Sequence, residues 1–285
     1  NSELDRGLTY DVNTLLRRRG ALGLLGGAAL TALAGCATTA TSGGGASATG
    51  SSSTSATASA TGSATAAASS AASASAVDSV VPDETAGPYP GDGSNGKNVL
   101  DDSGVVRSDI TTSIGSSEKV AGVPMTINLT VTDSASGYAA MAGAAVYVWH
   151  CDAAGNYSMY SQGATDQTWL RGVTETNANG TATFTSVFPG CYAGRWPHIH
   201  FEVYKSTSDA TSSGQIVKTS QIALPQAICE TVYQDTSTYP NSTRNLGQLS
   251  LKTDNVFGND GGIHQLATVT GDASSGYVVN LTIGV

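Results

Sequence analysis

The most informative stretch of the chain is a short alternating segment, His198-Ile-His-Phe-Glu-Val-Tyr204. Successive side chains of a β-strand point to opposite faces, so that residues two apart share a face. The three apolar residues of this segment would fill one face and pack into a core, while His198 and His200 project together from the other. The segment therefore predicts a strand that carries two imidazoles side by side.

Other parts of the chain repeat this two-residue period and show no helical period of useful length. The further predicted strands are Met125–Val131, Val146–Trp149, Gly172–Thr176, Thr181–Phe184 and Tyr277–Val285. The dipeptide Asn179-Gly180 separates two of them, which is typical of a β-hairpin. Short strands with glycine-rich turns favour an all-β domain, and we expect an antiparallel β-sandwich.

Composition excludes some classes of protein before any motif is considered. The chain has 285 residues, of which 12% are charged, and a formal net charge of -9. Helical bundles and coiled coils are rich in charged residues and leucine, which this chain is not. Phosphate recognition needs clustered lysine and arginine, so the negative balance argues against a nucleic-acid partner.

The first 36 residues have the pattern of an export signal. Arg17-Arg18-Arg19 precede an apolar run, Ala21–Ala34, that is shorter than the roughly 20 residues needed to span a bilayer. The following Leu33-Ala34-Gly35-Cys36 resembles a bacterial lipobox, and the arginines resemble a twin-arginine signal. Residues 1–36 are therefore expected to direct export, with Cys36 lipidated and the protein anchored to a membrane outside the cytoplasm.

A tether is predicted between the export signal and the folded domain. Residues 37–76 are all alanine, serine, threonine or glycine. Such side chains bury too little apolar surface to offset the entropy of ordering, which predicts a disordered linker. The remaining residues, 77–285, are enough for one substantial core.

Two tyrosines in glycine-rich surroundings could join the histidine pair. Tyr157 follows the predicted strand Val146–Trp149, and Tyr192 precedes the histidine strand. Phenolate oxygens combined with imidazoles would suit trivalent iron better than zinc or copper(I). Each feature also has an ordinary explanation when it is considered alone. Two histidines can simply lie on the polar face of a strand, and a tyrosine can be an amphipathic residue of a β-sandwich.

Several segments together resemble the intradiol ring-cleavage dioxygenases, the family of the catechol 1,2- and protocatechuate 3,4-dioxygenases. The segments that carry the resemblance are Pro82–Pro90, Ala145–Ser158, Phe188–Tyr192 and Arg195–Phe201. The resemblance implies a non-haem Fe(III) bound by four side chains: Tyr157, Tyr192, His198 and His200. It also implies that Tyr192 leaves the metal when the substrate binds.

The same resemblance assigns roles around the metal. Arg195 matches the active-site arginine of the family, and Gln221 resembles a glutamine that lies behind the ligands. Pro88 and Tyr89 are expected to line the substrate pocket. The implied reaction uses O2 to cleave a catechol between its two hydroxyl-bearing carbons, giving a muconate-type dicarboxylate.

Two departures from the family pattern affect selectivity and assembly. Only five residues separate Tyr192 from His198, where better-known members carry a longer loop, so a more open site is expected. The helical dimerisation region of catechol 1,2-dioxygenases has no counterpart, so no dimer built on that region is expected. The oligomeric state stays open, as does the choice among catechol, protocatechuate and hydroxyquinol as substrate.

Two other functions stay open at the level of sequence. One is a β-sandwich binding module without catalysis, which would not need the two tyrosines and two histidines together. The other is a copper or zinc enzyme that uses only His198 and His200, which would want a third histidine or a carboxylate nearby.

The remaining histidines are expected to be structural or surface residues, and the remaining cysteines to be available for one disulfide. His150 and His264 match no ligand of the family. With Cys36 in the lipobox, three cysteines are left in an exported domain, which can form one disulfide. They are Cys151, Cys191 and Cys229, and all three pairings are open.

The lipobox hypothesis predicts that Cys36→Ser releases the protein from the membrane fraction. Without the acyl chains the protein has no hydrophobic anchor to hold it at the bilayer. Fractionation of cells that express the wild-type and variant proteins measures this directly. A variant that stays with the membranes would show that another segment anchors the chain.

Overall fold

The fold of the chain is described by a computed structural model for residues 79–285. The predicted export signal and tether, residues 1–36 and 37–76, lie outside the described residues. The described part contains nine strands: β1 (Pro124–Asp133), β2 (Ala139–Ala140), β3 (Ala145–Trp149), β4 (Arg171–Glu175), β5 (Thr181–Val187), β6 (His198–Tyr204), β7 (Ile216–Ala223), β8 (Thr268–Asp272) and β9 (Gly276–Gly284).

The strands form two sheets, which confirms the predicted all-β sandwich. One sheet has five strands in the order β2-β1-β9-β8, with β5 also paired to β1, and the other has four in the order β4-β3-β6-β7. Pairing is antiparallel except between β1 and β9, which run parallel. Parallel neighbours need a long connection, and here most of the domain lies between the two strands.

The main core lies between the sheets and follows the alternation seen in the sequence. On β1, Ile127 and Leu129 are fully buried, and Ile199 and Phe201 of β6 are buried with them. The apolar face predicted for β6 therefore packs into the core. This leaves His198 and His200 on the opposite face of the four-stranded sheet.

That opposite face is covered as well, by a second apolar cluster. Val99, Leu100 and Val105 come from the segment before β1 and pack with Tyr147 and Trp149 of β3. All seven residues of β6 are consequently buried. The two histidines therefore lie inside the protein rather than on a solvated face.

The hairpin predicted around Asn179-Gly180 is wrong, although the turn itself is present. The amide of Gly180 donates to the carbonyl of Asn177, but β4 and β5 belong to different sheets. The amide of Val131 in β1 donates to the carbonyl of Gly180, so that the turn docks on the five-stranded sheet. A tight turn fixes the reversal of the chain but does not determine which strand becomes the neighbour.

Helices play a small part in the described residues. Three α-helices are short: α1 (Thr207–Thr211), α2 (Gln226–Val232) and α3 (Ser242–Leu246). Three 3-10 turns complete the regular structure: Ser134–Ser136, Leu251–Thr253 and Phe257–Asn259. Between residues 79 and 285, no helix has the length and apolar character to cross a membrane.

The position of the turn at Gly180 predicts that Gly180→Ala lowers the unfolding free energy more than Gly137→Ala does. Gly180 has φ +74, and an added Cβ would lie 2.6 Å from the carbonyl oxygen of Val131. Gly137 has a similar φ of +65 but nothing within 4 Å of the added atom. Gly137→Ala should cost about 1–2 kcal/mol for the left-handed conformation alone, and Gly180→Ala measurably more. Urea unfolding measures the loss of unfolding free energy in both variants. Equal losses would contradict the docking of the Gly180 turn on the five-stranded sheet.

Candidate metal and substrate site

Strand pairing places four side chains of the site in one row across the four-stranded sheet. His200 of β6 lies opposite Trp149 of β3 on one side and Gln221 of β7 on the other. Trp149 in turn lies opposite Arg171 of β4. Directly opposite residues share a face, so all four side chains belong to the face that carries the histidines.

The two histidines meet at their Nε2 atoms. Nε2 of His198 lies 3.1 Å from Nε2 of His200. Nδ1 of His198 donates to the carbonyl of Trp196 at 2.5 Å. A carbonyl only accepts, so the proton of this imidazole is on Nδ1, and the lone pair on Nε2 points toward His200.

Both predicted tyrosines reach the same point. The hydroxyl of Tyr192 lies 3.2 Å from Nε2 of His198, and that of Tyr157 lies 3.5 Å from it. Tyr157 is buried, whereas Tyr192 is half-buried. The structure therefore brings together all four residues that the sequence singled out as candidate ligands, and it leaves Tyr192 the more accessible of the two phenols.

The separations between these donor atoms fit a shared metal ion. Nitrogen and oxygen ligands held at about 2.0–2.2 Å from one ion, at angles of about 90–110°, lie roughly 2.8–3.6 Å from each other. The three separations at Nε2 of His198, which are 3.1, 3.2 and 3.5 Å, lie in this range. Two phenol oxygens beside two imidazoles form a donor set suited to a hard trivalent cation.

No alternative group of ligands forms elsewhere in residues 79–285. In this part of the chain, no three histidine, cysteine, aspartate or glutamate side chains come together as a metal-binding group. Nε2 of His198 therefore has the phenols of Tyr157 and Tyr192 and the imidazole of His200 as its neighbours.

Burial favours the neutral forms of Tyr157, His198 and His200. The pKa values of His198 and His200 are lowered by burial, and the positive charge of Arg195 lowers both further. Burial, followed by the adjacent Tyr192, raises the pKa of Tyr157 well above its usual value. Neutral imidazoles offer their lone pairs to a cation, and a phenol bound by a cation would release its proton.

A buried ion pair fixes Arg195 at the edge of this cluster. Nε of Arg195 donates to Oδ2 of Asp254 at 3.1 Å, and both side chains are almost fully buried. Asp254 also accepts from the amides of Trp196, Val256 and Phe257. Burial alone would raise the pKa of Asp254, but the Arg195 guanidinium and these amides hold it below its usual range.

Gln221 links Arg195 to the segment that precedes β1. Its Oε1 accepts from Nη2 of Arg195 at 2.7 Å, and its Nε2 donates to the carbonyl of Thr85 at 2.8 Å. Gln221 therefore lies beside His200 on the neighbouring strand and orients the arginine. Its distance along the chain from His200 is immaterial, because strand pairing brings the two residues opposite each other.

The segment expected to line the substrate pocket passes over the same cluster. Gly87 has φ +72, and an added Cβ would lie 3.2 Å from Cε1 of His200, so glycine is required here. Two residues later, the ring of Tyr89 lies 5.0 Å from that of Tyr157. Of the two predicted pocket residues, Tyr89 therefore lies next to a candidate ligand, and Pro88 precedes it in the chain.

Arg171, which no sequence pattern singled out, ties this segment to the loop of Tyr157. Arg171 is fully buried and donates to the backbone carbonyls of Tyr89 and Pro90. It also donates to the hydroxyl and the carbonyl of Ser158, and to the hydroxyl of Tyr147. No local motif marks Arg171, because its role depends on contacts with residues more than 80 positions away.

The remaining histidines are structural or exposed, as predicted. His150 is buried, and its ring nitrogens bond to Ser186 Oγ and to the carbonyl of Cys151, both at 2.8 Å. Burial lowers the pKa of His150 to about 4. His264 is exposed and bonds to Ser79 Oγ.

The disulfide that an exported domain can hold is not formed. Cys151, Cys191 and Cys229 are all buried free thiols. The thiol of Cys151 points to the carbonyl of Gly190, and that of Cys191 to the carbonyls of Tyr192 and Arg195. Burial raises the pKa of Cys191 to about 12, which disfavours the thiolate needed for disulfide formation.

Comparison with known proteins finds one matching family model and several solved structures with a similar fold. The family model described as "Dioxygenase" matches residues 102–235. An intradiol ring-cleavage dioxygenase from Tetranychus urticae is 24% identical with a TM-score of 0.58, covering 72% of this chain and 94% of that one. This likeness concerns the fold. No curated protein is similar enough to count as a match.

Two more distant structures are similar over most of the described residues. The dioxygenase domain of a dioxygenase carbohydrate-binding protein fusion from Streptomyces sp. SirexAA-E is 22% identical, covers 73% of this chain and 98% of that chain, and has a TM-score of 0.44. Catechol 1,2-dioxygenase from Pseudomonas arvilla C-1 is 16% identical, with 72% and 61% coverage and a TM-score of 0.43.

The buried ion pair predicts a pH-dependent loss of stability for Asp254→Asn. At neutral pH the variant should lose about 3–5 kcal/mol of unfolding free energy, because Arg195 stays buried without its charge partner. The pKa of Asp254 is lower in the folded than in the unfolded protein. The Arg195–Asp254 ion pair therefore contributes its full stability when the pH is above the pKa of Asp254 in the unfolded protein. This contribution is lost as the pH falls through the lower pKa that Asp254 has in the folded protein. The gap between wild type and variant should narrow on acidification.

Urea unfolding across a pH series measures this gap. Lys119→Gln is the matched control, because it breaks an ion pair with Asp109 whose side chains are 64% and 49% exposed. An exposed pair is worth about 0–1 kcal/mol, so the control should change little. Similar losses in the two variants would mean that the Arg195–Asp254 pair does not stabilise the site.

Proposed function

We propose that this chain is an intradiol ring-cleavage dioxygenase that uses non-haem Fe(III) and O2 to open catechol-type rings. Cleavage falls between the two hydroxyl-bearing carbons and yields a muconate-type dicarboxylate. The observation that carries the proposal is the meeting of two phenol oxygens and a second imidazole nitrogen at 3.1–3.5 Å from Nε2 of His198. Neither a binding module nor an enzyme built on the histidine pair alone accounts for both tyrosines.

The proposed iron ligands are Tyr157, Tyr192, His198 and His200. Ferric iron would supply Lewis-acid charge that favours the deprotonated catechol, together with the redox chemistry that the reaction with O2 requires. The two imidazoles are neutral and point their Nε2 atoms at the site, and the buried Tyr157 is held in place by the second apolar cluster.

Tyr192 is the residue that we propose to exchange with the substrate. It is half-buried, whereas the other three ligands are buried, so it can move with the least repacking. Its hydroxyl oxygen, once a phenolate, is a base of suitable strength to accept a proton from one substrate hydroxyl. The proton would then reside on Oη of Tyr192.

Arg195 is proposed to stabilise the negative charge that develops on the substrate ring. Its guanidinium carries a fixed charge and is oriented by Asp254 and Gln221, so little reorganisation is needed during the reaction. Pro88 and Tyr89 are proposed to orient the ring beside the ligands. The contact of Tyr89 with Tyr157 supports that placement.

The location of the enzyme is proposed from the sequence alone. Residues 1–36 would export the chain and Cys36 would carry the lipid anchor, so that the enzyme acts on catechols outside the cytoplasm.

The proposed ligand set predicts a visible colour that depends on both tyrosines. Phenolate bound to Fe(III) gives a ligand-to-metal charge-transfer band, so the iron-loaded protein should be reddish. Tyr157→Phe and Tyr192→Phe should each alter the band, because each removes one phenolate and keeps the packing volume. Absorption spectra of the iron-loaded proteins measure this, together with the shift when a catechol is added without oxygen.

The matched control is Tyr277→Phe. Tyr277 is a buried tyrosine of β9 that packs against Phe188 in the main core. Removal of its hydroxyl should leave the band unchanged. The proposed ligand set would be wrong if the iron-loaded protein were colourless, or if its absorption band did not change in the Tyr157→Phe and Tyr192→Phe variants.

A further inference from the structure

The two histidines of the site are held in different ways. His198 is fixed by the hydrogen bond from its Nδ1 to the carbonyl of Trp196. Nδ1 of His200 is buried and has no hydrogen-bond partner among the described residues. Metal-binding imidazoles are usually oriented by such a bond on the second ring nitrogen. The orientation of His200 must therefore come from another contact.

That contact is a flat stack on Trp149. The ring centroids of Trp149 and His200 are 4.8 Å apart, and the ring planes are only 7° from parallel. The two residues lie directly opposite each other on β3 and β6, so the backbone fixes the overlap of the rings. On the same strand, Tyr147 stacks on Trp149 with centroids 5.0 Å apart. The indole is thereby braced against tilting.

Burial of the Trp149 indole costs free energy, because its N–H group is left without an acceptor in the described part of the chain. Nε1 of Trp149 is buried and lacks a hydrogen-bond partner within residues 79–285. A buried indole N–H normally finds an acceptor, and a phenylalanine would avoid the unsatisfied donor. A phenylalanine at this position would offer a smaller and less electron-rich aromatic face than the indole does.

We propose that Trp149 is a positioning residue that fixes His200 for metal binding by stacking, in place of the missing hydrogen bond. The proposal rests on the iron site of the proposed function. The stack restricts rotation of the imidazole, so that Nε2 stays aimed at Nε2 of His198. When the imidazole binds a cation it becomes electron-poor, which strengthens its attraction to the negative face of the indole.

The test compares iron affinity in two substitutions of Trp149. Trp149→Leu removes the aromatic face, and Trp149→Phe keeps a smaller and less electron-rich one. Loss of an outer contact to a metal ligand typically weakens binding about 10–100-fold, and we expect a loss of that size for leucine. The phenylalanine variant should lie between leucine and wild type. Competition with an iron chelator gives the affinities, and the charge-transfer band reports the ligand set.

Trp169→Leu is the matched control. Trp169 belongs to the main core and not to the cluster that contains Trp149, so the same substitution there tests loss of packing without loss of the stack. It should lower the unfolding free energy but leave iron affinity close to that of wild type. All affinities are measured at a temperature at which each variant is folded.

The outcomes separate this proposal from the proposed function. A wild-type protein that takes up no ferric iron would overturn both. If wild type binds iron with the expected band and Trp149→Leu loses no more affinity than Trp169→Leu, only the role of Trp149 is overturned. If the leucine variant does not fold, wild-type affinity in Trp149→Phe would overturn it, and intermediate affinity would support it.

Discussion

The register of β6 between β3 and β7 is the constraint on which the rest of the site depends. It sets His200 between Trp149 and Gln221 and directs His198 to the same face. A shift of one residue would turn both imidazoles into the main core and bring Ile199 and Phe201 to the site. Because both faces of β6 are buried, the register is strongly specified by packing.

Buried polar groups are costly unless they are bonded, and the bonds that Arg195, Gln221 and Arg171 form make the site rigid. Arg195 is held by Asp254 and Gln221, and Gln221 reaches the carbonyl of Thr85. Arg171 donates to the carbonyls of Pro90 and Ser158 and so joins the pocket segment to the loop of Tyr157. The ligands therefore sit in a frame that is largely formed before any metal binds.

Much of this arrangement could be predicted from the sequence because it depends on local patterns. The alternation at His198–Tyr204 gave β6 with its observed bounds, and the motifs around Tyr157 and Tyr192 placed both phenols near the histidines. The hairpin at Asn179-Gly180 failed because a turn sequence does not encode the sheet that receives the next strand.

The residues that the sequence did not reveal act over long distances. Asp254 bonds Arg195 from 59 positions away, and Arg171 bonds Tyr89 from 82 positions away. Strand β7, which carries Gln221, lacks a clean alternation because its last residues are buried on both faces. Such contacts are determined by the packing of the two sheets and leave no mark in a short window of sequence.

The most direct test of the central claim is the fate of oxygen during turnover of a catechol under ¹⁸O₂. Intradiol cleavage predicts a muconate-type dicarboxylate that carries both oxygen atoms, with the ring opened between the two hydroxyl-bearing carbons. Mass spectrometry of the product identifies the position of cleavage and the labelled atoms. Cleavage of the ring bond next to, and not between, the two hydroxyl-bearing carbons would contradict the account. A quinone product that contains no ¹⁸O would also contradict it.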